Sequence, residues 1–179
     1  VQTAREVETL ARQVDDSGGV VFVPAFAGLG TPEWDPHARG LIVGITRGTT
    51  RAHLARATLE GIAAQVREVQ LALERAQGSA LTHLRVDGGA AANDLLLEIQ
   101  ADLSKLVVER SDDLETTARG AMRIAMLGAR GGDPASLPAA AQSVRSFAPS
   151  GDPAAATALW RRWRAAVTRA RGFARESVR

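Results

Sequence analysis

Hydrophobic positions along the chain alternate between helical spacing and short continuous runs. Apolar residues at every third or fourth position predict a first helix over residues 3–14. Residues 20–26 and 41–45 are continuous apolar runs, which are typical of buried strands. Between Thr50 and about residue 77 the helical spacing returns, with Leu54, Thr58 and Ile62 on one stripe, and Gly78 ends the segment. This segment therefore predicts the longest helix of the protein.

The second half of the chain continues the alternation. The pattern predicts strands over residues 81–86 and 106–109, and helices over residues 91–104, from Asp113 or Thr116 to about 129, 134–144 and 154–173. Residues 146–153 contain two prolines and a glycine and are predicted to form turns. Strands that alternate with helices of this length indicate an α/β fold with a partly parallel sheet, and we treat residues 1–179 as one domain.

Composition narrows the possible chemistry. Of the 179 residues 45% are apolar and 23% are charged, which suits a globular domain with a hydrophobic core. The absence of cysteine excludes disulfides and thiolate catalysis, and the three histidines are too scattered to form a metal site. We see no signal peptide and no membrane-spanning run, so a cytoplasmic location is expected. The chain does not begin with Met, which suggests a fragment.

Positive charge comes almost entirely from arginine, and arginines crowd the C-terminal end. The net charge is +2 and Lys105 is the only lysine; the terminal arginines are Arg161, Arg162, Arg164, Arg169, Arg171, Arg175 and Arg179. One interpretation is a surface for nucleic acid or membrane. A solvated helix face is favoured, because no aromatic residues alternate with these charges as binding to single strands would require.

The segment Leu84–Asn93 carries the strongest local signal. It reads as a strand, a pair of glycines and the start of a helix. Gly88 and Gly89 would let the chain turn sharply and let a ligand approach the backbone, and a helix N-terminus attracts anions and polar groups. Asn93 is expected about one turn into the helix, with its amide facing the same opening. The alternative is a purely structural left-handed turn with Asn93 on the helix surface.

Two other segments contain polar residues that could line a site. The loop Gly28–Gly40 includes Trp34, Asp35 and Arg39, and we favour a structural role in which Trp34 fills the edge of the core and Asp35 pairs with Arg39. Asp112 and Asp113 suggest a metal site, but helix capping is the preferred interpretation. No residues of the chain are assigned to a metal.

Several motifs together resemble the FGGY carbohydrate kinases. The matching segments are Pro24–Pro36, Ala38–Ile45, His53–Leu54, Ala57–Glu60, Val86–Gly89 with Asn93, Thr117–Ala118, Gly120–Ala121, and Trp163 with Ala166 and Val167. The resemblance covers nearly the whole chain. Leu29–Gly30 and Trp34 are similar to the branch of the family that phosphorylates glycerol.

This resemblance implies an actin-like, ribonuclease-H-like C-terminal domain with a mixed sheet flanked by helices, lacking its first strands. It implies that Gly89 and Asn93 contact the adenosine part of ATP and that Gly88 shapes the turn. The family's catalytic Asp base and substrate-binding residues would lie in an N-terminal domain outside this chain. Mg²⁺ would accompany ATP without identifiable ligands here, and the reaction would be phosphoryl transfer to a polyol or sugar, with glycerol favoured.

Further expectations follow from a partial domain. The isolated chain is expected to be inactive, because half a cleft cannot position the reactants. An alternative is a non-catalytic remnant that binds nucleotide or a partner subunit, and an arginine-rich nucleic-acid module is the weakest hypothesis. Exposed strand edges predict a homo-oligomer or poor solubility. Arg119 and Arg123 depart from the family pattern, which has apolar or small residues there.

Overall fold

The computed structural model describes residues 4–130, residue 132 and residues 143–176. The helices are α1 (Ala4–Ala11), α2 (Arg51–Gln77), α3 (Asp94–Ser104), α4 (Thr116–Arg130), α5 (Pro153–Ala170) and α6 (Phe173–Glu176). The strands are β1 (Val21–Val23), β2 (Leu41–Val43), β3 (His83–Val86), β4 (Val107–Ser111) and β5 (Val144–Phe147), and a 3₁₀ turn spans Gly89–Ala92. None of the described helices is long and apolar enough to cross a lipid bilayer.

The described strands form two sheets. β1 and β2 pair antiparallel, with Phe22 opposite Ile42. The second sheet has the order β3-β4-β5, in which β3 and β4 are parallel and β5 is antiparallel to β4. The parallel pair is joined through α3, as a βαβ unit requires. This confirms the α/β class and the mixed sheet with helices packed on it.

Two predictions near the end of the chain need correction. The predicted helix over residues 134–144 lies mostly outside the described residues, and its last residue, Val144, begins β5 instead. The predicted turn region 146–153 contains the end of that strand, because Phe147 pairs with Val108 and is 6% exposed. The remaining elements lie within a few residues of their predicted bounds.

The long helix α2 forms the centre of the molecule. Thr50 is its N-cap, and the backbone N–H of Thr50 donates to Nδ1 of His53 at 3.1 Å. Gly78 ends the helix in the left-handed conformation (φ 72°), which a residue with a side chain rarely adopts. These are the start and stop signals that the sequence contains.

The buried face of α2 is not the one that the apolar stripe predicts. The stripe residues Leu54, Thr58 and Ile62 are only half-buried, and Leu73 is 52% exposed. Small side chains are buried instead: Ala52, Ala55, Ala57, Gly61, Ala63 and Ala64. Because these residues are short, β1, α1 and α3 can approach the helix axis closely.

α2 and β1 approach each other closely. A Cβ atom added at Gly61 would overlap the carbonyl oxygen of Phe22 and lie 3.2 Å from its carbonyl carbon. The same carbonyl oxygen accepts a hydrogen bond from Nε1 of Trp163 on α5 at 3.1 Å. Trp163 is 3% exposed, so α2, β1 and α5 meet at one buried point.

A buried carboxylate also joins α2 to α5. Glu68 is 2% exposed and accepts hydrogen bonds from Nε1 of Trp160 and from a guanidinium nitrogen of Arg164, each at 2.7 Å. Both carboxylate oxygens are therefore satisfied, which a buried charge needs. This contact fixes the position of α5 against the central helix.

A smaller core lies beneath the three-stranded sheet. It consists of Leu97 and Ala101 from α3, Val108 from β4 and Phe147 from β5. Within the described part of the chain, β3 pairs with β4 alone and leaves its other edge open. The oligomer or poor solubility expected from open edges remains a prediction.

Candidate nucleotide site

The turn after β3 has the open geometry that its two glycines predict. Gly88 has φ 82° and ψ 171°, a conformation that L side chains rarely adopt, and its N–H donates to the Leu114 carbonyl at 3.0 Å. The next four residues form the 3₁₀ turn and lead directly into α3. The turn is therefore fixed on the sheet side while Gly89 is exposed.

Gly89 differs from Gly88 in one informative respect. Its φ lies outside the left-handed region, and a Cβ atom built on it would meet nothing within 4 Å. Neither backbone conformation nor packing within the described chain therefore requires glycine at this position. Glycine leaves the backbone open to close approach from outside, as a ligand would need.

Asn93 lies at a different point from the one predicted. It is the N-cap of α3 rather than a residue one turn inside the helix, and its Oδ1 accepts from the Leu96 N–H at 2.9 Å. Asparagine is among the preferred N-cap residues because this bond satisfies a free backbone donor. Among the described residues the structure gives no partner to the side-chain NH₂ group of Asn93, so two donors remain available.

The turn borders a groove formed by three separate parts of the chain. The cavity has a volume of about 210 Å³ and is lined by Val7, Glu8, Thr58, Leu59, Ile62, Gly89, Ala90, Ala92, Asn93 and Leu96. Most of these side chains are apolar, and Asn93 and the exposed backbone of Gly89 supply polar groups. This combination suits a flat, partly polar ring such as a purine.

Sequence reasoning missed the walls contributed by α1 and α2. Val7 is one of the apolar positions of the first helix, and Ile62 lies on the apolar stripe of the second. The one sequence signal for a groove was the polar residue Thr58 within this apolar stripe. In the structure its hydroxyl donates to the Leu54 carbonyl at 2.9 Å. Periodicity cannot show that a half-buried stripe which packs against the core also lines a groove.

The one carboxylate among the residues that line this groove is paired with an arginine. Glu8 accepts from the Leu95 N–H at 3.2 Å and lies 2.9 Å from Arg12. Arg12 also pairs with Glu98 at 3.0 Å, and that hydrogen bond raises the pKa of Arg12. The guanidinium therefore stays charged and limits repulsion of an anion by Glu8.

A second groove begins on the strand side of the turn. It has a volume of about 520 Å³ and is lined by Arg85, Val86, Asp87, Glu109, Ser111, Thr116 and Val144. It lies at the carboxyl ends of the parallel strands β3 and β4, where α/β sheets commonly bind ligands. The turn therefore has a groove on each side of Gly88, one next to Asp87 and one next to Asn93.

The Gly28–Gly40 loop does not contribute to these grooves. Trp34 is 76% exposed rather than filling the core edge, so that expectation is wrong. Asp35 accepts from the backbone N–H groups of Gly172 at 2.8 Å and His37 at 2.9 Å, and these bonds lower its pKa. Arg39 donates to backbone carbonyls instead of pairing with Asp35. The loop is attached to the C-terminal end of α5.

Of the two carboxylates that follow β4, Asp112 and Asp113, the second has structural partners. Asp113 accepts from the Glu115 N–H at 3.0 Å, and its carboxylate lies 2.7 Å from Nε of Arg119. Arg119, which departs from the family pattern, is thus paired with a carboxylate. Over residues 4–130, 132 and 143–176, no group of three or more His, Cys, Asp or Glu side chains is arranged to hold a metal ion.

Several C-terminal arginines make contacts within the chain. Arg164 pairs with buried Glu68, Arg171 lies 3.0 Å from Glu33, and Arg169 donates to the Ala165 carbonyl at 2.7 Å. These three arginines thus have partners within the chain, and the solvated helix face remains a prediction.

Comparison with known proteins assigns the chain to a family. Residues 1–129 match the model for the FGGY family of carbohydrate kinases, C-terminal domain. The chain belongs to this family. Glycerol kinase from Thermus brockianus is 54% identical over 173 residues, which cover 97% of this chain and 35% of that protein. Glycerol kinase from Saccharolobus islandicus is 45% identical over 98% of this chain and 35% of that protein.

A solved structure agrees with these matches. The crystal structure of Plasmodium falciparum glycerol kinase with ADP has a TM-score of 0.78 and 32% identity, and the match covers 95% of this chain and 34% of that one. The chain therefore has the fold of the C-terminal part of these actin-like kinases. It spans about a third of the length of the curated relatives that it matches.

Proposed function

We propose that this chain forms the adenine-nucleotide side of the cleft of an ATP-dependent glycerol kinase. The observation that carries the proposal is Gly89, an exposed glycine that neither its backbone conformation nor its packing requires. It borders an apolar groove together with Asn93, whose NH₂ group can donate to a base or ribose. The similarity to proteins named glycerol kinase, one of them solved with ADP, supports the same assignment.

The proposed division of roles follows from the contacts. The apolar walls from Val7 and Ile62 would enclose the base, while the N-cap bond to Leu96 orients the Asn93 side chain. Because Oδ1 is used in that bond, Asn93 would recognise an acceptor atom of the nucleotide rather than a donor. Gly88, with its positive φ, would hold the turn in place through the hydrogen bond from its N–H to the Leu114 carbonyl.

In the whole enzyme the reaction would be in-line phosphoryl transfer. The bond between the γ-phosphorus of ATP and its bridging oxygen would break as a primary hydroxyl of glycerol attacks, giving ADP and glycerol 3-phosphate. The proton of that hydroxyl would pass to an Asp base, which family resemblance places outside this chain. Mg²⁺ would accompany ATP; within the described chain no group of three or more His, Cys, Asp or Glu side chains is arranged to hold a metal ion.

The proposal is tested by adding one methyl group. Gly89→Ala places a Cβ where nothing lies within 4 Å, so the protein without ligand should keep its unfolding temperature. A methyl group in the ligand's path costs roughly 1–3 kcal/mol as overpacking, so ADP affinity measured by calorimetry should fall about tenfold or more. ADP affinity equal to that of the unaltered protein would contradict the proposal.

A matched pair of substitutions separates binding from helix capping at Asn93. Asn93→Ser keeps an N-cap acceptor but removes the amide donors, and loss of one hydrogen bond of about 1 kcal/mol should weaken ADP binding about fivefold. Asn93→Ala removes both functions and should also lower stability by about 1 kcal/mol. If Asn93→Ser binds ADP normally, the residue serves only as a cap.

A further inference from the structure

Arg110 contacts the nucleotide turn from behind, at the point where the turn enters α3. It lies on β4 with its side chain 15% exposed. One guanidinium nitrogen donates to the Ala91 carbonyl at 2.8 Å and to the Asp94 carboxylate at 2.7 Å. Ala91 precedes Asn93 by two residues and Asp94 follows it directly. The Arg110 guanidinium is thus bonded to residues on both sides of Asn93, which borders the groove.

The guanidinium is itself held in place. Its carbon lies 5.4 Å from the centre of the Phe147 ring, and Phe147 is 6% exposed. Arg145 contacts the same ring at 4.9 Å and pairs with the other oxygen of Asp94 at 2.6 Å. Burial favours the neutral form of Asp94, but the two arginines outweigh it, and the pKa of Asp94 is lowered. The carboxylate therefore stays charged and keeps both arginines as partners.

We propose that Arg110 is a positioning residue for nucleotide binding, which holds the Gly89–Ala92 turn and Asn93 in the arrangement that meets the ligand. This inference rests on the proposed function of the turn. The Ala91 carbonyl belongs to a 3₁₀ turn that starts with an exposed glycine. Without the bond from Arg110, the turn would populate other conformations. Apparent affinity falls in proportion to the fraction of molecules in the competent conformation.

Arg145 provides an internal control. It shares the Asp94 carboxylate and the Phe147 ring with Arg110, but its side chain is 55% exposed and its described contacts do not include the turn. If Arg110 contributed only to the stability of the fold, replacing either arginine would change ligand affinity to a similar extent. A positioning role distinguishes them, because Arg110 alone of the pair reaches the Ala91 carbonyl.

The test compares Arg110→Lys with Arg145→Lys. One guanidinium nitrogen makes both contacts, and a lysine side chain is one bond shorter, so its ammonium would fall short of the Ala91 carbonyl and the Asp94 carboxylate. Loss of one charge-assisted hydrogen bond predicts an ADP dissociation constant raised roughly tenfold for Arg110→Lys, with Arg145→Lys changed less than about twofold. In the full-length kinase, Arg110→Lys should raise KM for ATP and leave KM for glycerol unchanged.

Several outcomes separate this inference from the proposed function. If the unaltered protein does not bind ADP, both fail. If it binds ADP and Arg110→Lys binds equally well, only the positioning role is overturned. Equal loss of affinity in both lysine variants would also overturn it. Should Arg110→Lys not fold, Asp94→Asn provides the alternative: it weakens the hold on Arg110 and should reduce ADP affinity about threefold. Unchanged affinity in that variant contradicts the proposal.

Discussion

The contact between α2 and β1 makes a sharp prediction about Gly61. In an ordinary helix, replacing glycine by alanine stabilises by about 1 kcal/mol, because the unfolded chain loses freedom. At Gly61 the new Cβ would overlap the Phe22 carbonyl oxygen and lie 3.2 Å from the carbonyl carbon. The neighbour is backbone, so no flexible side chain can move away to relieve the overlap.

The surroundings resist a shift of either element. The Phe22 carbonyl also accepts from Trp163, and Phe22 is paired with Ile42 in the antiparallel sheet. Overpacking of this kind costs about 3 kcal/mol, so after the helix-propensity gain of about 1 kcal/mol we expect Gly61→Ala to destabilise by about 2 kcal/mol. For a chain of this size that lowers the unfolding temperature by roughly 4–8 °C.

The assay is thermal unfolding followed by circular dichroism. Gly128→Ala on α4 is the matched control, because a Cβ there would meet nothing within 4 Å. The same substitution should raise the unfolding temperature by about 2–4 °C. If both alanine variants are stabilised to a similar extent, α2 does not approach β1 as closely as the structure shows, and the packing argument is refuted.

Two further predictions concern buried carboxylates on α2. Glu68→Gln should destabilise the protein by about 2 kcal/mol in chemical denaturation, because it weakens the hydrogen bonds from Trp160 and Arg164. The control is Glu98→Gln, which alters an exposed ion pair and should change stability by less than about 1 kcal/mol. Equal effects of the two substitutions would contradict this prediction. Burial raises the pKa of Glu60 despite hydrogen bonds from Ser17 and Arg56, so the native protein loses stability as pH rises through that raised pKa. Glu60→Gln removes this pH-dependent loss, so the stability of the variant relative to the unaltered protein should increase from acid to neutral pH. A difference in stability that does not change with pH would refute a raised pKa at Glu60.

The sequence predicted the helices best where local signals mark their ends. Thr50 and Gly78 gave the bounds of α2, and the paired glycines after β3 gave the position of the turn. The buried face of α2 could not be predicted, because alanine is compatible with both core and surface and periodicity favours larger apolar side chains. The strand β5 was missed because it is short and lies beside prolines and glycine, where local signals favour turns.

The candidate site was predicted only in the part that is local in sequence. Gly88, Gly89 and Asn93 lie within six residues; their spacing left both a ligand turn and a purely structural turn open, and the family resemblance favoured the ligand turn. The groove walls and Arg110 come from α1, α2 and β4, and no local pattern links them to the turn. The role of Asn93 as N-cap depended on where α3 begins, a boundary that sequence patterns fix only to within a few residues.

The most direct test is to follow backbone and side-chain amide signals by nuclear magnetic resonance while ADP is added. We predict that the Gly88 and Gly89 amides and the Asn93 NH₂ group shift together and saturate at one dissociation constant, whereas the Gly172 amide at the distant loop contact does not. Saturable changes centred near Gly172 or along α5, with the turn unaffected, would contradict nucleotide binding at this site.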